Sequence, residues 1–458
     1  MRRAKIFLLL ALTVCTATFL RAATATNSLA WHNATGQVDA DVHGEALWPL
    51  LEDIAHQTGW HIFVEPGITQ ATDAKFSSLP SSEALRKLLG DLNFALVPKT
   101  NEPSQLYVFT TRMENATRPV RAAEKPVVTK QKHVANELIV KLKPGANIDA
   151  IAKSIGAKVV GRDDKLGIYR LEFPDAAATD AALAKLKGNS DVAAVDYNYI
   201  FDPPPAPQQI ASPSVGPPKL TLDASTPNDP CNPVVGMIDT AYQPSGDPLD
   251  QFVMKPVSVI GEDNSTSTGI THGTAMGKTI LAAVAQASGG HSSVRILPIV
   301  AMDSSGAATT WSVALGVKAA WDNGATMLNM SLGGTTDSAI LNDVIQQALA
   351  KGVVIFAAAG NQPVDTQTFP AAIPGVNAVT ALGQPGQLAS YANFGSFVEL
   401  ALPGTSVVYL GNQAYIVQGT SPATAYATGV AAGTKGLNCP TWAQIQAAMQ
   451  QKFPVPTK

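Results

Sequence analysis

Apolar residues along this chain keep two rhythms, one of helical period and one of short unbroken runs, and Pro-rich polar stretches separate the regions where each prevails. Between residues 28 and 117, Leu47, Leu50, Leu51 and Ile54 share one helical face, Gly59 ends that segment, and Trp60–Val64 reads as a strand. Leu85, Leu88, Leu89 and Leu92 repeat the spacing after a cap near Ser81, and Phe94–Val97 follows as another strand. The two faces match at an offset of 38, from Leu47 to Leu85, which predicts two strand–helix–strand units. Residues 118–133 are basic and rich in Pro and Lys, and read as a linker. From 134 to 200 the pattern predicts a strand at Glu137–Leu142, a helix at Ile148–Ile155, strands at Val159–Val160 and Ile168–Phe173, a helix at Ala181–Leu186 and a strand at Val192–Tyr197. That β-α-β-β-α-β order is the split, ferredoxin-like arrangement. Residues 201–230, dense in Pro, Ser and Ala, read as an exposed linker.

The last region, 231–458, alternates differently. Short apolar runs at Val234–Ile238, Val294–Val300, Thr326–Asn329, Val353–Ala359 and Asn377–Ala381 are separated by helical patterns at 273–287, 311–323, 338–351 and 422–436. Strands without polar alternation are buried on both faces, so a parallel sheet covered by helices on both sides is expected. The fold class is α/β, preceded by two small α+β domains. In such sheets chemistry gathers at the carboxyl ends of the strands.

Composition narrows the setting. With 458 residues, 46% hydrophobic, 15% charged and a net charge of −3, the chain has room for two to four domains and a large core. Nothing in that balance points to nucleic acid or an anionic membrane as partner. Arg2, Arg3 and Lys5 precede the apolar run Ile6–Val14, and Ala23-Thr24-Ala25 offers a small-x-small cleavage site, so 1–25 reads as a signal peptide and the protein as exported, periplasmic or secreted. Of three cysteines, Cys15 leaves with that peptide. Cys231 and Cys439 remain, and in an oxidising compartment a disulfide closing the long loop is the natural reading, with two free buried thiols as the alternative.

Four polar groups stand where these elements end or begin. Val234–Ile238 runs into Asp239-Thr240, and Thr271-His272-Gly273-Thr274 opens a helix. Gly360-Asn361 ends another apolar strand, and Gly419-Thr420-Ser421 delivers a serine onto the small-residue segment Pro422–Gly433. Each alone has an ordinary reading as a cap or a turn. His291, the other histidine of this region, lies in a polar Gly-Gly-His-Ser-Ser loop, which leaves His272 as the base. A serine in the first turn of a buried helix sits at the positive end of the peptide dipoles, where its own N–H can face a developing anion.

Asp, His and Ser in that chain order, with Asn between the last two, is the subtilisin order of the catalytic triad. Residues 231–450 resemble a subtilase, a subtilisin-like serine protease. The resemblance rests on Ile238-Asp239-Thr240, His272-Gly273-Thr274, Ser331-Leu332-Gly333-Gly334, Ala358-Ala359-Gly360-Asn361 and Gly419-Thr420-Ser421, supported by Ser390–Gly395 and Ala401–Gly404. Departures are Ala241 where glycine is usual, Thr271 before the histidine, and Pro-Ala-Thr-Ala-Tyr after Ser421. The resemblance implies Asp239, His272 and Ser421 as the triad, with the Asn361 side chain and the Ser421 N–H as oxyanion hole. It further implies Ser331, Leu332, Gly333 and Gly334 pairing with the substrate backbone, and Ala358 and Gly360 on the wall of an apolar P1 pocket with Thr368 near its base. No cofactor or metal is required for that chemistry, and structural calcium is left open. The module at 134–200 is similar to subtilase propeptides, which implies an intramolecular inhibitor, a zymogen and polypeptide substrates. Residues 28–117 resemble the short N-terminal domain of outer-membrane secretins and TonB-dependent receptors, which implies an envelope partner. The alternative reading is a catalytically silent subtilase-like binding module of the cell envelope.

Overall fold

The computed structural model describes residues 27–33, 35–65, 68, 70–98, 103–116, 118–120, 132–210, 220–224, 231–261, 269–384 and 386–456. Residues 1–25, read as a signal peptide, and much of 211–230 lie outside them, as does most of the stretch 118–133 read as linker, whose two ends are strand: Arg118–Val120 pairs with His61–Val64, and His133 opens the next strand. The chain divides into two compact units, Met1–Lys125 and Pro126–Lys458, and the division falls inside the stretch read as linker.

In the first unit a three-stranded antiparallel sheet is ordered Ser28–His32, Gln37–Ala46, Ala71–Pro80. A four-stranded sheet is ordered Asn93–Val97, Gln105–Phe109, His61–Val64, Arg118–Val120. Helices Leu47–Thr58 and Ser81–Leu89 supply the core with Leu50, Leu51, Ile54, Leu85, Leu88 and Leu89, all fully buried. The internal repeat is present, but its offset is 34 rather than 38: strands start at Gln37 and Ala71, helices at Leu47 and Ser81. At that offset Leu50, Leu51, Ile54 and Ala55 fall on Ala84, Leu85, Leu88 and Leu89, all buried. A helical pattern nearly superimposes on itself after four residues, which hides the true register. Leu92 lies beyond its helix, and Ser81 is the first helical residue, its hydroxyl bonded to the Gly36 carbonyl instead of capping.

The second unit opens with the β-α-β-β-α-β module. Strands Val192–Phe201, His133–Leu142, Ile168–Glu172 and Lys158–Asp163 lie in that order, antiparallel throughout, backed by helices Ile148–Ile155 and Ala176–Lys187. Its sheet continues into the following region through Ile200 and Phe201, which pair with Thr309 and Ala308.

Beyond it lies a parallel sheet ordered Val257–Ser258, Arg295–Val300, Val234–Asp239, Met327–Met330, Val354–Ala358, Asn377–Gln384, with Leu400–Pro403 beside the last. One face packs on helices His272–Ser288 and Thr420–Asn438, the other on Thr310–Asp322 and Ala339–Ala350. The first strand in sequence stands inside the sheet with later strands added on both sides, so a switch point opens at its carboxyl end. Asp239 ends that strand.

The 201–230 stretch is not linker throughout. Gln208–Ile210 pairs with Ala414–Ile416 of a hairpin, Thr405–Leu410 and Gln413–Gln418, which the apolar pattern did not anticipate. Leu222 is buried, and Asp223–Ala224 pairs with His291–Ser292. Cys231 and Cys439 form a disulfide, with Cα atoms 5.5 Å apart, at the C-cap of the Thr420–Asn438 helix. No helix among the described residues is long and apolar enough to cross a membrane.

Candidate active site

Asp239 is fully buried at the end of its strand. Its Oδ1 accepts the Thr240 N–H at 2.7 Å, and both carboxylate oxygens face Nδ1 of His272, at 2.8 and 3.0 Å. A carboxylate on Nδ1 holds the imidazole in the tautomer that leaves Nε2 as acceptor. His272 is the first residue of its helix, capped by Thr271, whose side chain accepts the Thr274 N–H at 3.2 Å. The departure at Thr271 is therefore a helix cap. Gly273 follows because a Cβ there would stand 2.2 Å from the Thr240 carbonyl oxygen; its N–H donates to Thr240 Oγ1 at 2.8 Å.

The helix that begins at Thr420 and carries Ser421 lies alongside. Its small residues let the backbones meet, with Gly429 against the Ile280 carbonyl and Gly433 against Val284. Both contacts join residues 149 apart (280 to 429, 284 to 433), so the two helices run parallel in one register. Carried back to their first turns, that register sets Ser421 level with His272.

Ser421 Oγ donates to the Ser331 carbonyl at 3.3 Å, while Nε2 of His272 is buried without a hydrogen-bond partner among the described residues. The Asp–His half is thus assembled, and the serine hydroxyl rests on a backbone carbonyl from which a side-chain rotation would release it. Apo sites commonly show such loose nucleophile–base geometry. Ser331 turns its own hydroxyl to the Ser421 carbonyl at 3.2 Å, and receives Asn329 Nδ2 at 3.0 Å. Its side chain braces Ser421 from behind, which leaves the backbone pairing expected of this stretch a separate matter.

Asn361 is anchored through its oxygen, which accepts the Thr420 N–H at 2.8 Å and the Thr420 hydroxyl at 3.1 Å. With Oδ1 committed, the amide presents its NH2 as donor. Gly419, at φ +149°, is a backbone state that favours glycine, and a Cβ there would stand 3.1 Å from Asn361 Nδ2. Asn393 brackets Asn361: its N–H donates to the Gly360 carbonyl at 3.0 Å and its Oδ1 accepts the Gln362 N–H at 2.7 Å.

The substrate-strand residues separate. Leu332 and Ala358 are buried, so their side chains serve the core. Gly334 exchanges both backbone bonds with Phe369, at 2.9 and 2.8 Å, and its edge is taken. Gly333, one residue before, aims its backbone groups the opposite way. A Cβ on Gly333 would meet nothing closer than 3.5 Å, so the folded chain does not itself demand glycine there. Thr368 lies between it and Gly360, its Cγ2 3.3 Å from a Gly360 Cβ position, with its hydroxyl on the Ala359 carbonyl at 2.7 Å. Among the described residues no group of His, Cys, Asp and Glu is placed to hold a metal ion.

Comparison with known proteins bears on both halves of this unit. Residues 208–454 match the subtilase family, and residues 119–198 match the fervidolysin N-terminal prodomain. A thermophilic serine proteinase of Bacillus sp. (strain AK1) is 29% identical over 312 residues, covering 66% of this chain and 78% of that one. The M-protease of Shouchella clausii (strain KSM-K16) is 32% identical over 193 residues, covering 41% of this chain and half of its own length. Among solved structures, fervidolysin from Fervidobacterium pennivorans, a keratinolytic enzyme related to subtilisin, superimposes with a TM-score of 0.52 at 21% identity, over 66% of this chain and 54% of that chain.

Proposed function

The chain belongs to the subtilase family of serine proteases, and we propose that it is an exported endopeptidase, made as a zymogen, whose triad is Asp239, His272 and Ser421. The observation that carries the reading is the buried Asp239–His272 pair with Nε2 unpartnered, level with a serine at a helix N-terminus. In the proposed reaction Ser421 Oγ leaves the Ser331 carbonyl, gives its proton to Nε2 and bonds to a peptide carbonyl carbon. Asp239 stabilises the imidazolium. The oxyanion lies between Asn361 Nδ2 and the Ser421 N–H, an orphan donor of the first helical turn. The C–N bond then breaks as His272 returns the proton to the leaving amine, and water repeats the sequence to hydrolyse the acyl-enzyme. Gly333 pairs with the substrate backbone, and Gly360 and Thr368 line the P1 side.

Latency is supported by the prodomain's hold on the protease. Asp196 accepts from the Ser338 hydroxyl at 2.8 Å and the Ile340 N–H at 3.2 Å, at the start of one helix, and Asn198 accepts the Trp311 N–H at 3.1 Å, at the start of another. Lys141 pairs with Asp343. We place processing between Gln209 and Leu222, because every residue of Pro203–Pro207 except Ala206 lacks the N–H that strand pairing needs. Ser421→Ala should lower peptide hydrolysis by several orders of magnitude, up to about 10⁶ as measured on subtilisin itself, and should accumulate unprocessed precursor. Near-parental turnover would remove the triad, and maturation of that variant at the same bond would remove self-processing.

The resting contact of Ser421 with Ser331 favours one competing reading, a silent binding module. A fluorophosphonate probe separates the two, labelling Ser421 only if the serine is activated. Envelope association through 28–117 is a separate proposal, tested by expressing that segment alone and following its fractionation.

A further inference from the structure

We propose that Gln243 is a positioning residue for His272, completing from outside the helix the cap that holds the histidine in place; this rests on the protease reading above. Thr271 is the N-cap of the His272–Ser288 helix, which makes Thr274 its third residue. In a capping box the third residue's side chain would accept the cap residue's own N–H. Here Gln243 Oε1 takes that N–H, at 2.9 Å. The same oxygen stands 3.5 Å from the Thr274 hydroxyl, and Gln243 Nε2 donates to the Gly269 carbonyl at 3.2 Å. The Gln243 N–H donates to Thr274 Oγ1 at 2.8 Å, and the neighbouring Ala241 carbonyl accepts the Thr271 hydroxyl at 2.7 Å. Through its carboxamide Gln243 therefore grips the chain running into the helix and the cap residue, and through its own N–H the first turn.

Gln243 lies four residues after Asp239, on the loop that leaves the Asp239 strand. The strand end and its loop hold the histidine together: the Asp239 carboxylate on the ring, Thr240 Oγ1 and the Ala241 carbonyl on Gly273 and Thr271, and the carboxamide on the backbone one residue ahead. Orientation of the ring about Nδ1 leaves the Cα free to drift unless the helix start is pinned. A glutamine suits the task because acceptor and donor sit on one rigid group.

The test compares Gln243→Ala and Gln243→Glu in the processed enzyme, with the parent assayed in parallel. Gln243→Ala should lower kcat by about 10- to 100-fold, the scale of a misplacement on the order of 1 Å, with KM within about twofold, since Gly333 and Gly360 are untouched. Gln243→Glu keeps the acceptor for Thr271 but loses the donor to the Gly269 carbonyl, and should recover part of that loss, which a general loosening of the fold would not allow. Added to His272→Ala, Gln243→Ala should leave the residual rate unchanged, because a residue acting through the imidazole has nothing left to position. A parent that hydrolyses peptides while Gln243→Ala keeps its kcat overturns this proposal alone. So does a further drop of the residual rate in the double variant, or a Glu variant as poor as the Ala one. A parent with no hydrolysis overturns the protease reading and this proposal together.

Discussion

Replacing Gly273 by alanine should damage catalysis through a residue that carries no chemistry. The new methyl would stand 2.2 Å from the Thr240 carbonyl oxygen, where carbon–oxygen contacts normally begin at about 3.3 Å. The start of the His272 helix must therefore back away by about 1 Å, and a displacement of that size at a reacting group lowers rate on the order of 10²-fold. It would also stretch the 2.8 Å bond from the Gly273 N–H to Thr240 Oγ1, and overpacking of this kind destabilises by about 1–3 kcal/mol. Steady-state kinetics on a peptide substrate, beside a thermal melt, reads both effects. Gly333→Ala is the matched control: its methyl meets nothing within 3.5 Å in the folded chain but stands where substrate is proposed to pair, so KM should rise and the melt should stay put. A Gly273→Ala enzyme with parental kcat would show that the helix start does not set the histidine's position, and the account of the site would fail there.

Asn361→Ala should leave KM near its parental value and lower kcat by about 10²–10³-fold, because its amide acts on charge present only in the transition state; a change confined to KM would make it a binding residue. Replacing Cys231 and Cys439 together by serine should lower unfolding free energy by about 3–5 kcal/mol, for a closed loop of 208 residues, in a denaturant titration. An unmoved midpoint would mean the loop is held by other means. Burial pushes the Asp196 carboxyl above its ordinary range in the prodomain–protease assembly, against the bonds from Ser338 and Ile340 that lower it, with Asp337 adding to the rise. The assembled state thus binds that proton more tightly than the released prodomain does. Its contribution to attachment is complete below the ordinary value of about 4 and is lost as pH rises through the elevated one. Inhibition by the cleaved prodomain should weaken over that window, and Asp196→Asn should flatten this part of the slope; equal slopes would contradict it.

Elements whose ends are marked by local chemistry were legible from the chain alone. Helix Ile148–Ile155 was read to the residue, since Asn147 caps it through the Asp149 and Ala150 N–H groups and Gly156 turns left-handed at φ +70°. The parallel strands announced themselves as apolar runs, and Asp239, His272, Asn361 and Ser421 stood at their ends or at helix starts. Gln208–Ile210 could not be read, because two glutamines and an isoleucine become a strand only on the edge that residues 414–416 offer. The supports of the site were equally silent. Gln243 acts across 28 residues through a side-chain bond to backbone, which leaves no rhythm in a sequence; Asn393 and Thr420 stood inside the quoted motifs, but their bonds across 31 and 59 residues, to the Gln362 N–H and the Asn361 side chain, could not be read.

The two parallel helices behave as a gauge set from behind the site. Gly429 lies eight residues beyond Ser421, about 12 Å along the helix axis, yet a methyl there would stand 2.4 Å from the Ile280 carbonyl oxygen. Any side chain at that depth would pry the helices apart, and the gap would open toward their starts as a wedge does, widening the serine–histidine separation without touching either residue. Inserting one residue between Ser421 and Gly429 would turn the serine about 100° around its axis at unchanged helix packing. The span available to the proton in the proposed first transfer is therefore set by the glycines of the helix interior, eight residues and more beyond the serine.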